Sequence, residues 1–317
     1  MNIITITDDF DLKKIAESGQ CFRVHDVGEG FFRFITGGEV LFIRKSGDTR
    51  EHVLPETYEV SCTPKEWDEV WTPYFDLGRN YRSIRAGIPE VDTYMKNAAV
   101  CGAGIRILKQ DPWEMLISFI ISQRKSIPAI KSSIEMICAR FGRKIVGDTS
   151  DIKSTDDSED MGSSGLDEVL YAFPTAREIA GKVLPESEDG NLPREELFTA
   201  LFESELKDCK LGYRLRYICD AVCRAIYGEI DLAGLCDFAS EALLERLKEV
   251  NGVGDKVANC IALFSYGRCE LAPVDTWIRK VIDSEYGGVN PFPGYGDVAG
   301  IMQQYIFYYA LTHKQEF

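Results

Sequence analysis

Histidine and closely paired cysteine are what this chain has least of. Three histidines occur in 317 residues. Ten cysteines are present, but they are scattered between Cys21 and Cys269 and none is spaced as Cys-x-x-Cys. The soft, clustered ligands that hold zinc or an iron–sulfur centre are therefore not offered, and no metal site is expected. The thiols read as reduced cysteines rather than a disulfide framework. No apolar run is long enough to span a bilayer, so no membrane partner is expected. The N-terminal MNIITITDDFDLKK places acids early and lacks the charged-then-apolar order of an export signal, which points to the cytoplasm.

An excess of positive charge is also missing. Lys and Arg number 36 against 51 Asp and Glu, a formal net charge of −15. Phosphate contacts need cations, so the balance argues at first against nucleic acid. Much of the negative charge is concentrated, however. Asp148 to Asp167 reads DTSDIKSTDDSEDMGSSGLD, and Pro185 to Glu196 adds further acids. Both stretches are poor in apolar residues and read as solvated loops. With these set apart, a local basic surface is compatible with the overall charge.

What is present divides in two. The first hundred residues are β-rich, and Phe31 to Gly47 holds two short runs joined by Gly37-Gly38, a hairpin signal. A helix is expected over Pro64 to Trp71. In ESGQCFR, Gly19 sits in a tight segment that on its residues alone is an ordinary turn. From about residue 101 helical patterns take over. Asp111-Pro112-Trp113-Glu114 reads as N-cap, first-turn proline and the closing residue of a capping box. Further helices are expected over Ser126 to Phe141, Leu197 to Leu206, Tyr213 to Tyr227 and Ala239 to Val250. An amphipathic one is expected over Asp297 to Thr312. The fold class is α+β: an N-terminal antiparallel β-sheet domain over residues 1–100, then a mostly helical region over 101–317. That region carries an acidic insert at about 148–166 and a helix-hairpin-helix at about 239–266. No internal repeat is seen.

The hairpin is the richest segment. Asn251-Gly252-Val253-Gly254 is too glycine-rich to continue a helix, and Asp255 can cap the next one, expected from Lys256 to about Tyr266. Two helices joined by Gly-x-Gly present backbone N–H groups that suit a phosphate and carry no base information. They also make a plain αα corner, and the spacing alone leaves both readings open. Lys256 lies in the first turn, where a cation opposes the helix macrodipole. A solvated lysine is the ordinary explanation, and an amine nucleophile the alternative. Asp275 follows nineteen residues later and precedes TWIRKVI, so it too has an ordinary role, as an N-cap. The distances allow the two to meet. About eleven helical residues climb roughly 16 Å, and the remaining residues can span about 25 Å on the return.

The segment GVGDKVANCI followed by PVD resembles the catalytic segment of the helix-hairpin-helix DNA glycosylases, within them the 8-oxoguanine DNA glycosylases with lyase activity. GIRILKQDPWEMLISFIIS, LGYRLRYI, AGIMQQYIF and LKKIAESGQCFR resemble other parts of the same family, in family order. The resemblance implies double-stranded DNA containing 8-oxoguanine as partner, a monomer, and a location beside the nucleoid if the source is bacterial. It implies a flipped nucleotide, attack by Lys256 on C1′, a Schiff base and β-elimination, with Asp275 stabilising the transition state and no cofactor required. It implies a lesion-reading carbonyl at Gly19, a base held between Cys260 and Phe307, and Gln303 at its Watson–Crick edge. Gly252 and Gly254 would hold the backbone, Tyr213 would wedge into the duplex, and Arg214 would meet the base left behind.

Three positions depart from the family pattern. Arg124 stands where an asparagine would fill the vacated stack, Ala129 where an arginine can help read the opposite cytosine, and Trp277 where some members have histidine. Weak discrimination of the opposite base is the expectation. Two other readings share the hairpin: a glycosylase for another damaged base, and a non-catalytic helix-hairpin-helix DNA-binding protein. An endonuclease III-like enzyme would usually carry a C-terminal four-cysteine cluster, and no cysteine follows Cys269.

Overall fold

The computed structural model describes residues 1–47, 54–145, 169–184 and 193–313; the acidic stretch Asp148 to Asp167 lies outside them. Strands β1 (Asn2–Ile6), β2 (Val24–Asp26), β3 (Phe32–Thr36), β4 (Glu39–Lys45) and β5 (Glu56–Val60) form one antiparallel sheet of order β1-β5-β4-β3-β2. The expected hairpin is β3–β4, turning at Gly37 with φ +55°, where a side chain would be strained. Alternation along the strands sends Phe34, Leu41, Ile43, Tyr58 and Val60 to one face. There they pack against Ile15 of the helix Leu12–Glu17 and against Trp71, Tyr74 and Phe75.

The helical stretch beginning at Pro64 runs on to Tyr74, past the expected end, through a wide π turn at Trp67–Trp71. That turn lets Trp67 and Trp71 both lie on the sheet, each about 6.2 Å from the Phe75 ring.

The second core is helical. Pro112–Ser122 and Ile127–Phe141 start as expected, with Asp111 accepting from the Glu114 N–H at 2.8 Å and Pro128 in the first turn of the second. The expected capping box does not close. The Glu114 side chain does not return to Asp111. It is buried at 3% exposure, and burial pushes its carboxyl up to about 8, opposed chiefly by the Arg23 guanidinium. A carboxyl group carried inward on the buried face of this apolar helix cannot also serve its exposed N-terminus.

The C-terminal helix Ala299–Thr312 corrects a second expectation. It is not amphipathic but buried nearly all round, from Ala299 to Ile306 without a break. It is a central element, crossed by the helix Thr93–Cys101 and by Thr276–Glu285. Gly300 permits its closest approach: a Cβ there would stand 2.5 Å from the Leu271 carbonyl oxygen and 2.6 Å from Leu263. The two cores are joined by Arg106, fully buried, whose guanidinium donates to the carbonyls of Asp9, Phe75, Asp76 and Arg79. Among the described residues no helix is long and apolar enough to cross a membrane, and no three His, Cys, Asp or Glu side chains converge as metal ligands.

Candidate active site

The hairpin joins the helices Ser240–Lys248 and Asp255–Phe264. Gly252 has φ +89°, and a Cβ there would overlap the Tyr217 ring at 2.6 Å, so both backbone and packing demand glycine. The N-cap of the second helix is Gly254, not Asp255. Asp255 is the first helical residue, and its carboxylate pairs with Lys248 at 3.2 Å. A glycine cap has no side-chain acceptor, so the first N–H groups of this helix are left for an external anion.

Lys256 lies half-buried in that first turn, its Nζ 5.2 Å from the Phe119 ring centroid. It makes no ion pair with Asp275 or any other described residue within 4.0 Å. Asp275 caps Thr276–Glu285, accepting from the Ile278 N–H at 2.8 Å. Both side chains nevertheless open onto one narrow cleft, walled by Phe119, Phe264 and Phe307. Cys260, one turn beyond Lys256, lines the same wall. Burial raises its thiol, and the Lys256 charge opposes that rise.

The far wall comes from distant sequence. Gly19 has φ +76°, and a Cβ on it would stand 3.0 Å from Phe307. Phe307 and Gln303 project from the C-terminal helix into the cleft. Gln303 is 4% exposed, and its Oε1 is buried without a donor. An amide oxygen so placed is costly unless a ligand satisfies it. Lys256, Cys260, Asp275, Gly19, Gln303 and Phe307 are thus brought together.

The cleft opens into a wider groove lined by Gln123, Arg124, Lys125, Tyr213, Gly252, Gly254 and Arg279, with Lys256 and Asp275 shared between the two. Tyr213 stands 49% exposed at its edge. Arg214 does not reach outward. It is buried beside the Tyr213 ring, 4.4 Å from its centroid, and donates to the carbonyls of Leu211 and Gln123. Arg124 is exposed at φ +51°, a backbone conformation in which asparagine is far more common than arginine. Ala129 is half-buried on the next helix, and Trp277 lies under Lys280, whose Nζ is 5.0 Å from its ring.

Two residues escaped sequence reasoning. Gln123 donates to the Gly252 carbonyl at 2.9 Å while its own carbonyl accepts from Arg214, tying the hairpin to the Tyr213 element. Gln304, 2% exposed, donates to the Ser18 carbonyl. The only signal for Gln304 was a second glutamine in an otherwise apolar helix. Gln123 carried none.

Fold and site define a helix-hairpin-helix protein whose hairpin lysine opens onto an aromatic-walled cleft beside a groove that carries Arg124, Lys125 and Arg279. Residues 3–116 match the family model of the 8-oxoguanine DNA glycosylase N-terminal domain. The chain is similar to the probable N-glycosylase/DNA lyase of Methanothermobacter thermautotrophicus, at 29% identity over 95% of this chain and 94% of that one. It is similar to a structure of MBOgg1 with a low-affinity DNA ligand, at 30% identity and TM-score 0.75 over 99% of this chain and 100% of that one. It is also similar to the Clostridium acetobutylicum 8-oxoguanine glycosylase/lyase, in complex with double-stranded DNA containing cytosine opposite the lesion. There the identity is 29% and the TM-score 0.75, over 99% of each chain. The chain belongs to the 8-oxoguanine DNA glycosylase family.

Proposed function

We propose that Lys256 is the nucleophile and Asp275 the electrostatic partner of a glycosylase/lyase reaction on duplex DNA carrying 8-oxoguanine, and that the protein works as a monomer. The enzyme is a DNA glycosylase with lyase activity, acting in base excision repair. The observation that supports this assignment most is the shared floor: Lys256 and Asp275 line both the aromatic-walled cleft and the groove that a duplex would follow. A base can reach the cleft only by leaving the stack.

The hairpin N–H groups beside Gly254 would hold a backbone phosphate and set the register. The Lys256 amine would then add to C1′ as the C1′–N9 bond breaks and the base departs with a proton. The aminal opens to a Schiff base. Loss of a C2′ proton expels the 3′ phosphate and nicks the strand 3′ to the lesion. Asp275 sits where positive charge develops on the sugar, and its capping bond to Ile278 keeps it oriented. In the cleft, the Gly19 carbonyl would accept from the N7–H that 8-oxoguanine has and guanine lacks. Cys260 and Phe307 would enclose the ring, and the free Gln303 oxygen would take a donor from the base edge.

Borohydride trapping on an 8-oxoguanine duplex tests the assignment. A covalent adduct forms with the native protein and is lost in Lys256→Gln, with excision falling on the order of 10⁴-fold or more; an adduct that survives the substitution refutes the role of Lys256. The inward Arg214 and Ala129 leave few groups for the opposite base. Comparable excision opposite all four bases is expected, and a strict preference for cytosine would overturn that expectation.

A further inference from the structure

We propose that Gln304 is a positioning residue for lesion choice: with Gln20 and Gln110 it clamps the loop Ser18 to Gln20, so that the Gly19–Gln20 peptide presents its carbonyl, and not its N–H, to the base. The inference rests on the reading of Gly19 given above.

The loop is pinned on both sides of Gly19. Gln304 Nε2 donates to the Ser18 carbonyl at 2.5 Å, from the helix that carries Gln303 and Phe307. Gln110 Nε2 donates to the Gln20 carbonyl at 2.9 Å. The Gln110 backbone N–H is itself tied to the Phe264 carbonyl, at the end of the Lys256 helix. The Gln20 side chain donates to Ser18 Oγ and to the Arg106 carbonyl, and accepts from the Leu108 N–H, each at 2.8 Å. Ser18 and Gln20 are fully buried. The Gly19 carbonyl between them accepts from no described residue.

A free acceptor between two held ones is preorganised for a ligand. The clamp also has a sign. Glycine permits the peptide after it to flip at little steric cost. A flipped Gly19–Gln20 peptide would offer the Gln20 N–H, a donor that suits the bare N7 of guanine and opposes the N7–H of 8-oxoguanine. The glutamines hold the one orientation that favours the lesion. Gln304 is placed to do so because the same helix sets the base-edge contact and the ring wall, so recognition of edge, face and N7 shares one rigid element.

The test compares two reactions of the full chain under single-turnover conditions: excision of 8-oxoguanine opposite cytosine, and cleavage at a preformed abasic site, which bypasses base recognition. In Gln304→Leu, excision is expected to fall about 10- to 100-fold while abasic-site cleavage changes by less than about 3-fold. Binding preference for 8-oxoguanine over guanine duplex narrows in parallel. Gln110→Leu, which frees the other flank, is expected to act in the same direction. Unchanged excision in both variants overturns the proposal. So does an equal fall in both reactions, or loss of cooperative unfolding in both variants, since either marks a purely structural role. Native protein that cleaves abasic sites but does not excise 8-oxoguanine would instead defeat the underlying reading of Gly19.

Discussion

The hairpin corner and the joint beneath Gly19 face each other across one cleft, and they are built on opposite principles. The corner is made by omission. Gly252 and Gly254 remove side chains, the helix N-terminus keeps its N–H groups uncapped, and Lys256 has no ion-pair partner among the described residues. The joint is made by satisfaction. Ser18, Gln20, Arg106 and Gln110 are buried polar residues, and backbone carbonyls accept from them or from Gln304. The corner must exchange partners with a phosphate and a sugar, so unspent hydrogen bonds are useful there. The joint must hold one carbonyl still, and only a saturated network in a low-dielectric interior does that.

The sharpest way to break the comparison is at Asp275, which belongs to both principles at once. Asn caps helices about as well as Asp. Asp275→Asn should therefore leave the unfolding free energy within about 0.5 kcal/mol while slowing single-turnover excision about 10²-fold. A stability loss matching the activity loss would mean that the carboxylate serves only as a cap.

A smaller effect probes the joint. Glu114 lies buried near Arg23, with Asp111 and Glu135 also close and the Gly37 N–H beside it, and its carboxyl is raised to about 8 in the fold. The folded protein therefore keeps this proton where the unfolded chain, near 4.5, has released it. The stabilisation is complete below about pH 4.5 and is lost as pH rises through about 8. Glu114→Gln removes that dependence. Urea unfolding at pH 5 and pH 9 should show the native protein losing on the order of 3 kcal/mol relative to the variant. Parallel pH profiles would show that Glu114 is ionised throughout.

Local signals carried well into the fold. The Gly37 turn, the Asp111 cap and the first-turn Pro128 each act within a few residues, and each appears as read. Signals that needed a partner elsewhere misled. Glu114 has the spacing of a capping box but is drawn into the interior. Asp255 has the chemistry of a cap but pairs with Lys248, leaving Gly254 in that position. The C-terminal helix reads as amphipathic in sequence, yet its two glutamines, Gln303 and Gln304, are both buried. Buried amides satisfied by backbone or left for a ligand look the same in sequence as solvated ones.

The sequence by itself determined the corner: a glycine turn, a lysine in the first helical turn and an aspartate before the next helix, because backbone conformation and capping are local and the chain length allowed the return. Tertiary structure alone decided which groups face them. Gly19, Gln303 and Phe307 come from opposite ends of the chain, Arg214 is turned inward, and Gln304 reaches a carbonyl 286 residues away. Those contacts depend on where buried surfaces close, and no local spacing encodes that.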